Sequence, residues 1–167
     1  MNLSFGRIKY VVNCSWLILP VLVWNIVFAK HLPPLFQEEN FWKDIPPLLS
    51  MLENVSRIAL FAFTFLMPLN LSAAKNKKAW GIYLSGLIVY WLSWLLLMKM
   101  PQSAWSQSLP GIMAPAYTPI LWLWGLWLLG GEPFLKFPFS TKVFPILCLL
   151  FLFLHNLHTF LIFERFN

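Results

Sequence analysis

Charged residues are scarce in this chain. They make up 11% of its 167 residues, whereas an ordinary soluble domain carries about 25%. Hydrophobic residues make up 59%. So few charges cannot cover the surface of a folded soluble domain. The composition therefore excludes an ordinary soluble enzyme or binding module.

Cysteines and short catalytic motifs are equally scarce. The two cysteines, Cys14 and Cys148, form no Cys-x-x-Cys motif and lie inside apolar stretches. A disulfide framework needs positions in an oxidising compartment, so we expect two free, buried thiols and no thiol redox chemistry. The chain also lacks a glycine-rich phosphate loop, a nucleophile elbow and a His-Glu-x-x-His motif.

Long apolar runs make up most of the chain. Because about twenty apolar residues in a helix cross a hydrocarbon core of about 30 Å, each such run is a candidate span. The sequence predicts an all-α integral membrane protein. Its single polytopic domain, residues 1–167, would be a bundle of five transmembrane helices, with spans at about 10–29, 51–71, 79–98, 112–130 and 143–163.

Charges divide unevenly between the two sides of these spans. One set of connecting segments holds a single acid and most of the basic residues: Arg7, Lys9, Lys75, Lys77, Lys78, Lys136 and Lys142, against Glu132. The other set is balanced: Lys30, Lys43, Lys99, Arg57 and Arg165, against Glu38, Glu39, Asp44, Glu53 and Glu164. Since Lys and Arg concentrate in short cytoplasmic loops, we expect the N-terminus inside and the C-terminus outside.

This asymmetry also bears on partners and location. The net charge of +6 favours contact with an anionic inner leaflet over nucleic acid, because the excess lies in loops with no soluble module behind them. We expect a multi-pass protein of a bacterial plasma membrane, in contact with lipids. An alternative is that residues up to Val27-Phe28-Ala29 form a cleaved signal peptide, which would leave four spans.

Two segments depart from simple helices. The loop at about 30–50 carries proline pairs at 33–34 and 46–47, which forbid one continuous helix. We expect it to rest at the membrane interface, or to form a lid. Span four carries Pro115 and Pro119, with Thr118 in the position of a helix N-cap, so this span should be kinked or broken near those prolines.

Polar residues of different spans fall at one depth. Glu53, Asn54 and Arg57 should lie about 3–10 Å below the outer interface, and His155 and His158 about 7–12 Å below it. Asn25, Ser93 and Tyr117 come out in the same half, and Tyr90 and Trp94 share an aromatic stripe on span three. Because polar groups at such depth face the bundle interior or water, they predict an outward-opening pocket.

Each of the charged residues has a structural interpretation as well. Ser50 and Glu53 form a Ser-x-x-Glu capping box. Arg57 could pair with Glu53 one turn away, bind an anion, or extend its charge to nearby headgroups. His155 and His158 could bond across helices, or ligate a metal together with Glu53. The His-x-x-His spacing alone is a weak metal signal, so no metal or other cofactor is predicted.

Three functions remain open at this stage. The pocket could bind or transport a small anionic or amphipathic ligand through Arg57, Glu53, Asn54, His155, His158, Tyr90, Trp94, Tyr117 and Asn25. The chain could instead be an enzyme on outer-leaflet lipid or headgroup, with His155 or His158 as general base and Arg57 as the electrophilic clamp. It could also be a purely structural subunit. Five spans without an internal repeat are unusual for a transporter that works alone. If this chain transports a ligand, we therefore expect a homo-oligomer or a partner subunit.

Overall fold

The computed structural model describes residues 11–70, 77–135 and 140–166, and these residues are mainly helical. Five helical stretches are long and apolar enough to cross a membrane: Cys14–His31, Pro47–Leu66, Lys77–Lys99, Leu109–Leu129 and Ser140–Phe166. The five apolar spans expected from the sequence are therefore confirmed as helices. Arg7, Lys9, Lys75 and Lys136, which contributed to the charge argument, lie outside the described residues.

Span one is built from three helical pieces. A 3₁₀ turn at Cys14–Leu17 precedes helix α1, Leu19–Phe28, and a second 3₁₀ turn at Ala29–His31 follows it. Pro20 lies in the first turn of α1. Its missing N–H costs no helical hydrogen bond there.

The segment between helix α1 and span two, residues 29–46, is folded; we call it the first loop. Besides the turn at Ala29–His31 it contains a 3₁₀ turn at Pro34–Phe36 and the short helix α2, Glu38–Phe41. Two side-chain amides hold it together, because Gln37 donates to the Leu32 carbonyl over 2.6 Å and Asn40 to the Pro34 carbonyl over 2.8 Å.

Span two is helix α3, Pro47–Leu66. Proline is pre-organised for the first helical position, and Pro47 takes that position here, so the helix begins before Ser50. The predicted capping box is therefore wrong. Ser50 lies within the first turn, where its hydroxyl approaches the Pro46 carbonyl at 3.5 Å, and Glu53 is free to make the contacts described below.

Spans three and four approach each other closely. Helix α4, Lys77–Lys99, packs against the second half of span four. A Cβ placed on Gly86 would lie 2.3 Å from the backbone nitrogen of Trp122, and one on Gly125 would lie 2.4 Å from that of Tyr83. Only glycine permits this backbone contact at both places.

Span four consists of two helices joined at Thr118. After the short helix α5, Ala104–Gln107, come α6, Leu109–Tyr117, and α7, Pro119–Leu129. Thr118 occupies the N-cap position of α7 and Pro119 begins the helix, as predicted, but Thr118 has helical backbone angles and its side chain makes no capping hydrogen bond. Span five is helix α8, Ser140–Phe166, which packs against α3 and α6.

Candidate functional site

Glu53 of α3 is the centre of a charged cluster between α3 and α8. Its side chain is 0% exposed. One carboxylate oxygen, Oε1, accepts from the Arg57 guanidinium one turn along the helix and from Nδ1 of His155 at 2.9 Å. The other oxygen, Oε2, lies 2.5 Å from Nδ1 of His158. A buried carboxylate needs such partners, because its desolvation is otherwise very costly.

His158 connects this cluster to the first loop. Its side chain is fully buried. Its second ring nitrogen, Nε2, donates to the backbone carbonyl of Phe41 over 2.8 Å. The rings of Phe41 and Trp42 lie against the imidazole, with centroids 4.2 and 4.8 Å away. Arg165, near the end of α8, donates to the carbonyls of Asn40 and Lys43. Side chains of helix α8 therefore hold the first loop through hydrogen bonds to main-chain carbonyls of the loop.

The three contacts of the two imidazole rings set a condition on the protons of the cluster. A carbonyl oxygen only accepts, so Nε2 of His158 carries a hydrogen. Each of the two Nδ1–carboxylate contacts also needs one hydrogen. A carboxylate with two neutral imidazoles has only two hydrogens for these three contacts. If all three contacts are hydrogen bonds, the cluster holds one further proton, which would cancel the negative charge of Glu53 and leave, with Arg57, a net charge of +1.

Arg57 and His155 expose their remaining hydrogen-bonding groups on one wall. The Arg57 side chain is 30% exposed and that of His155 is 20% exposed. Arg57 donates to Asn54 and Glu53, and three of its five N–H donors make no hydrogen bond within the described chain. His155 stacks on Phe151 at 5.3 Å, while Arg57 lies 5.6 Å from the same ring.

That wall faces a cavity of about 600 Å³. Its other walls come from α1, the first loop, α4, the junction of α6 and α7, and α8. Most of the side chains are aromatic or aliphatic, including Trp24, Phe28, Phe36, Phe41, Trp42, Phe61, Trp94, Trp122 and Phe151. The volume is within the usual range for small-molecule sites, about 300–1,000 Å³.

A second set of polar groups lies elsewhere on the cavity wall. Tyr90 donates its hydroxyl to the Asn25 amide oxygen over 2.7 Å. The indole N–H groups of Trp24 and Trp122 are buried and have no hydrogen-bond partner among the described residues. Lys30 and Glu38, both exposed, add one charge of each sign. The cavity is thus apolar over most of its surface, with its cationic groups at Arg57 and Lys30.

Eight of the residues singled out from the sequence lie on the cavity wall or directly behind it. Five line the cavity: Asn25, Arg57, Tyr90, Trp94 and His155. Glu53 and His158 lie behind the wall and contact it through hydrogen bonds. Asn54 is not on the wall but accepts from Arg57 at 3.4 Å.

Two other residues singled out from the sequence have local structural roles instead. Tyr117 does not line the cavity. It is 39% exposed and donates to the Pro110 carbonyl at 3.1 Å. Ser93 is buried and donates to the Tyr90 carbonyl at 2.7 Å. Equal depth in the bundle therefore does not bring either side chain to the cavity.

Several wall residues were missed by sequence analysis. Trp24, Phe36, Phe41, Trp42 and Trp122 had no distinguishing signal, because aromatic residues are abundant throughout the chain. A periodic argument could have found Phe151, which lies one turn before His155. The loop aromatics could be placed only by the fold of the first loop.

Metal-binding geometry is not found in the described part of the chain. No group of three or more His, Cys, Asp or Glu side chains there is arranged to hold an ion. The Nδ1 atoms of both histidines point at oxygens of Glu53 instead of at a shared point. The two cysteines are free and buried.

Comparisons with known proteins give no relative of this chain. No protein-family model, curated protein or solved structure matches it.

Proposed function

We propose that this chain is a multi-pass protein of a bacterial plasma membrane that binds or transports a small anionic or amphipathic ligand from the outer side. Its N-terminus is inside and its C-terminus outside. The cavity next to Arg57 is the ligand site. A homo-oligomer or a partner subunit completes a transport pathway if the ligand crosses the membrane.

The arrangement of charges supports this orientation. Lys77 and Lys78 begin α4, and Lys142 lies in the first turn of α8, at the ends proposed to be inside. Glu38 and Glu39 lie in the first loop, near the opposite end of α8. In this orientation the Glu53 cluster and the cavity are in the outer half of the membrane.

A kink in span four fits the same proposal. Pro115 and Pro119 both line the cavity at the junction of α6 and α7. Proline cannot donate the helical hydrogen bond, so a carbonyl one turn earlier is left for another donor. For Pro119 that carbonyl belongs to Pro115, and Asn156 of α8 donates to the carbonyl of the next residue, Ala116, at 3.1 Å. Interrupted helices of this kind line substrate sites in transporters.

The single observation that carries the ligand proposal is the position of Arg57. Its guanidinium is on the wall of an apolar, aromatic cavity, with three N–H donors unused. With three hydrogens in the three imidazole contacts, the negative charge of Glu53 is cancelled within the cluster. The net charge of +1 therefore attracts an anionic group, and the aromatic walls suit an apolar tail.

The test is a titration with decyl sulfate, which keeps its charge at all working pH values, and with uncharged decanol. Tryptophan fluorescence is the readout, because Trp24, Trp94 and Trp122 line the cavity. A charge-assisted hydrogen bond contributes about 1.5–3 kcal/mol, so Arg57→Gln should weaken decyl sulfate binding about 10–100-fold. Decanol binding should change little.

Lys99→Gln is the matched control, because it removes one exposed cation that does not line the cavity. Its affinity for decyl sulfate should equal that of the wild type. Equal affinities for the wild type and Arg57→Gln, with both folded by circular dichroism, would contradict the proposal and favour a purely structural subunit.

A second candidate function, hydrolysis of a lipid-like ester at the outer leaflet, is favoured by the Glu53–His155 contact. A carboxylate that accepts from Nδ1 fixes the tautomer that leaves Nε2 free to act as a base. Thr159 lines the cavity, but its hydroxyl donates to the His155 carbonyl at 2.9 Å, so water would be the nucleophile. His155 would take the proton of the water as its oxygen adds to the ester carbonyl, and return it to the leaving alcohol.

The release of p-nitrophenolate from p-nitrophenyl decanoate measures this activity. If the wild type hydrolyses the ester and His155→Gln does not, the enzyme interpretation is supported. Equal rates for both proteins and for protein-free vesicles would refute it.

A further inference from the structure

The two groups that face the cavity from the charged cluster differ in hydrogen-bonding character. Arg57 can only donate. His155 has used its Nδ1 hydrogen on Glu53, and its Nε2 makes no hydrogen bond within the described residues. In the neutral ring this Nε2 has a lone pair and is an acceptor. The wall therefore presents a cationic donor beside an acceptor.

These two groups are close to each other. The guanidinium of Arg57 and Nδ1 of His155 both contact the same atom, Oε1 of Glu53. Both side chains also lie against the ring of Phe151. A small planar group in the cavity can therefore meet both side chains at once.

A carboxyl group in this position needs one proton. One of its oxygens accepts from Arg57 in the usual way. Its other oxygen then faces the Nε2 lone pair of His155, and two lone pairs repel unless a hydrogen lies between them. Glu53 and His158 show the same requirement within the protein, where Oε2 and Nδ1 are 2.5 Å apart.

The other charged and titratable groups around His155 are hydrogen-bonded to other partners or lie on the first-loop side of the cavity. Glu53, Arg57 and His158 belong to the cluster described above, and Tyr90 donates to Asn25. Lys30 and Glu38 are exposed on the first-loop side of the cavity and carry opposite charges. His155 is thus the wall residue with an unused proton-accepting atom beside an anion donor.

We infer that the ligand is a single-chain carboxylic acid, and that it binds together with one proton held between its carboxyl group and Nε2 of His155. This inference rests on the proposed function, since it names the class of ligand in the same cavity. The apolar walls contact the chain and Arg57 and His155 contact the head. The proton comes from solvent when the carboxylate enters, and it returns to solvent when the ligand leaves.

The test is calorimetric titration of the folded protein in nanodiscs with decanoate at pH 7.5. Repeating it in phosphate and in Tris, whose heats of ionisation differ, gives the number of protons taken up per ligand bound. We expect about one proton for decanoate and none for decanol, whose hydroxyl can donate its own hydrogen to Nε2. By linkage, decanoate affinity should fall about tenfold for each unit of rising pH, while decanol affinity stays constant.

His155→Gln locates the proton. A glutamine amide donates to a carboxylate without taking up a proton, so this variant should still bind decanoate but lose the buffer dependence. Proton uptake that persists in folded His155→Gln would overturn the assignment to His155. If that variant does not fold, the proton count of the wild type decides.

The remaining outcomes distinguish a failure of this inference from a failure of the proposed function. Decanoate binding by the wild type with no proton uptake overturns the inference and leaves the ligand site in place. Failure of both decanoate and decyl sulfate to bind overturns the proposed function and the inference with it.

Discussion

Replacement of Glu53 tests the proton count most directly, because glutamine and methionine should have very different effects. In Glu53→Gln, the amide oxygen can accept from Arg57 and His155 as Oε1 does now. The amide nitrogen can donate to Nδ1 of His158, whose Nε2 still donates to Phe41. All contacts survive without the extra proton, and the net charge of the cluster stays at +1.

The expected magnitudes follow from this comparison. Glutamine exchanges charge-assisted hydrogen bonds for neutral ones, and should cost about 1 kcal/mol of unfolding free energy. Methionine has nearly the same length, but its thioether sulfur is only a weak acceptor. It leaves fully buried His158 with an unpaired Nδ1, and Arg57 and His155 regain only part of their hydrogen bonding in the cavity. Losing one partner of a buried charged cluster costs about 3–5 kcal/mol.

Thermal unfolding in a non-ionic detergent, followed by tryptophan fluorescence, measures the difference. For a chain of this size 1 kcal/mol corresponds to about 2–4 °C, so Tm should fall by about 10 °C in Glu53→Met and by less than about 4 °C in Glu53→Gln. Glu164→Met, at an exposed position of α8, should leave Tm unchanged. Equal destabilisation by glutamine and methionine would show that the carboxylate charge itself is required, and would refute the proton count.

Three further predictions concern the fold and its orientation. Gly125→Ala should lower stability by about 1–3 kcal/mol or more in thermal unfolding, because the new Cβ would meet backbone atoms. The Cβ of Gly81→Ala would have no atom within 4 Å, so this substitution should be neutral or stabilising. The reverse order of stabilities would contradict the close approach of the two helices. Arg165→Gln should raise amide hydrogen exchange in the first loop about tenfold without affecting the helices; unchanged exchange would show that the loop does not depend on this residue. A cysteine introduced at Glu39 should react with an impermeant maleimide on intact cells and one at Lys75 only after permeabilisation; labelling of position 75 from outside would reverse the orientation.

The existence of the helices was predictable because it depends on local composition. Apolar runs of about twenty residues define the five spans, and their bounds differ from the observed helices by only a few residues. The starting point of α3 was not predicted. Pro47 and Ser50 are both good residues for a helix start, and the sequence does not say which one takes that position.

The arrangement around the cavity was only partly predictable. Depth along a span follows from residue number, and it grouped Glu53 with His155 and His158, which are in contact in the structure. Rotation of a helix about its axis depends on packing between spans. Tyr117 therefore shares the expected depth yet faces away from the cavity. The Phe41 carbonyl could not be predicted as an acceptor, because it is a backbone atom in an aperiodic loop.

The attachment of the first loop has a consequence for how its sequence can vary. His158 and Arg165 bind the backbone carbonyls of Phe41, Asn40 and Lys43, and no side chain of these three residues takes part in those bonds. Substitutions that keep the path of the main chain should preserve the attachment, even where they alter the aromatic surface above the cavity. Insertions and deletions should not, because they shift the carbonyls out of register. The loop could therefore be re-engineered to accept different ligand shapes while its anchorage stays the same.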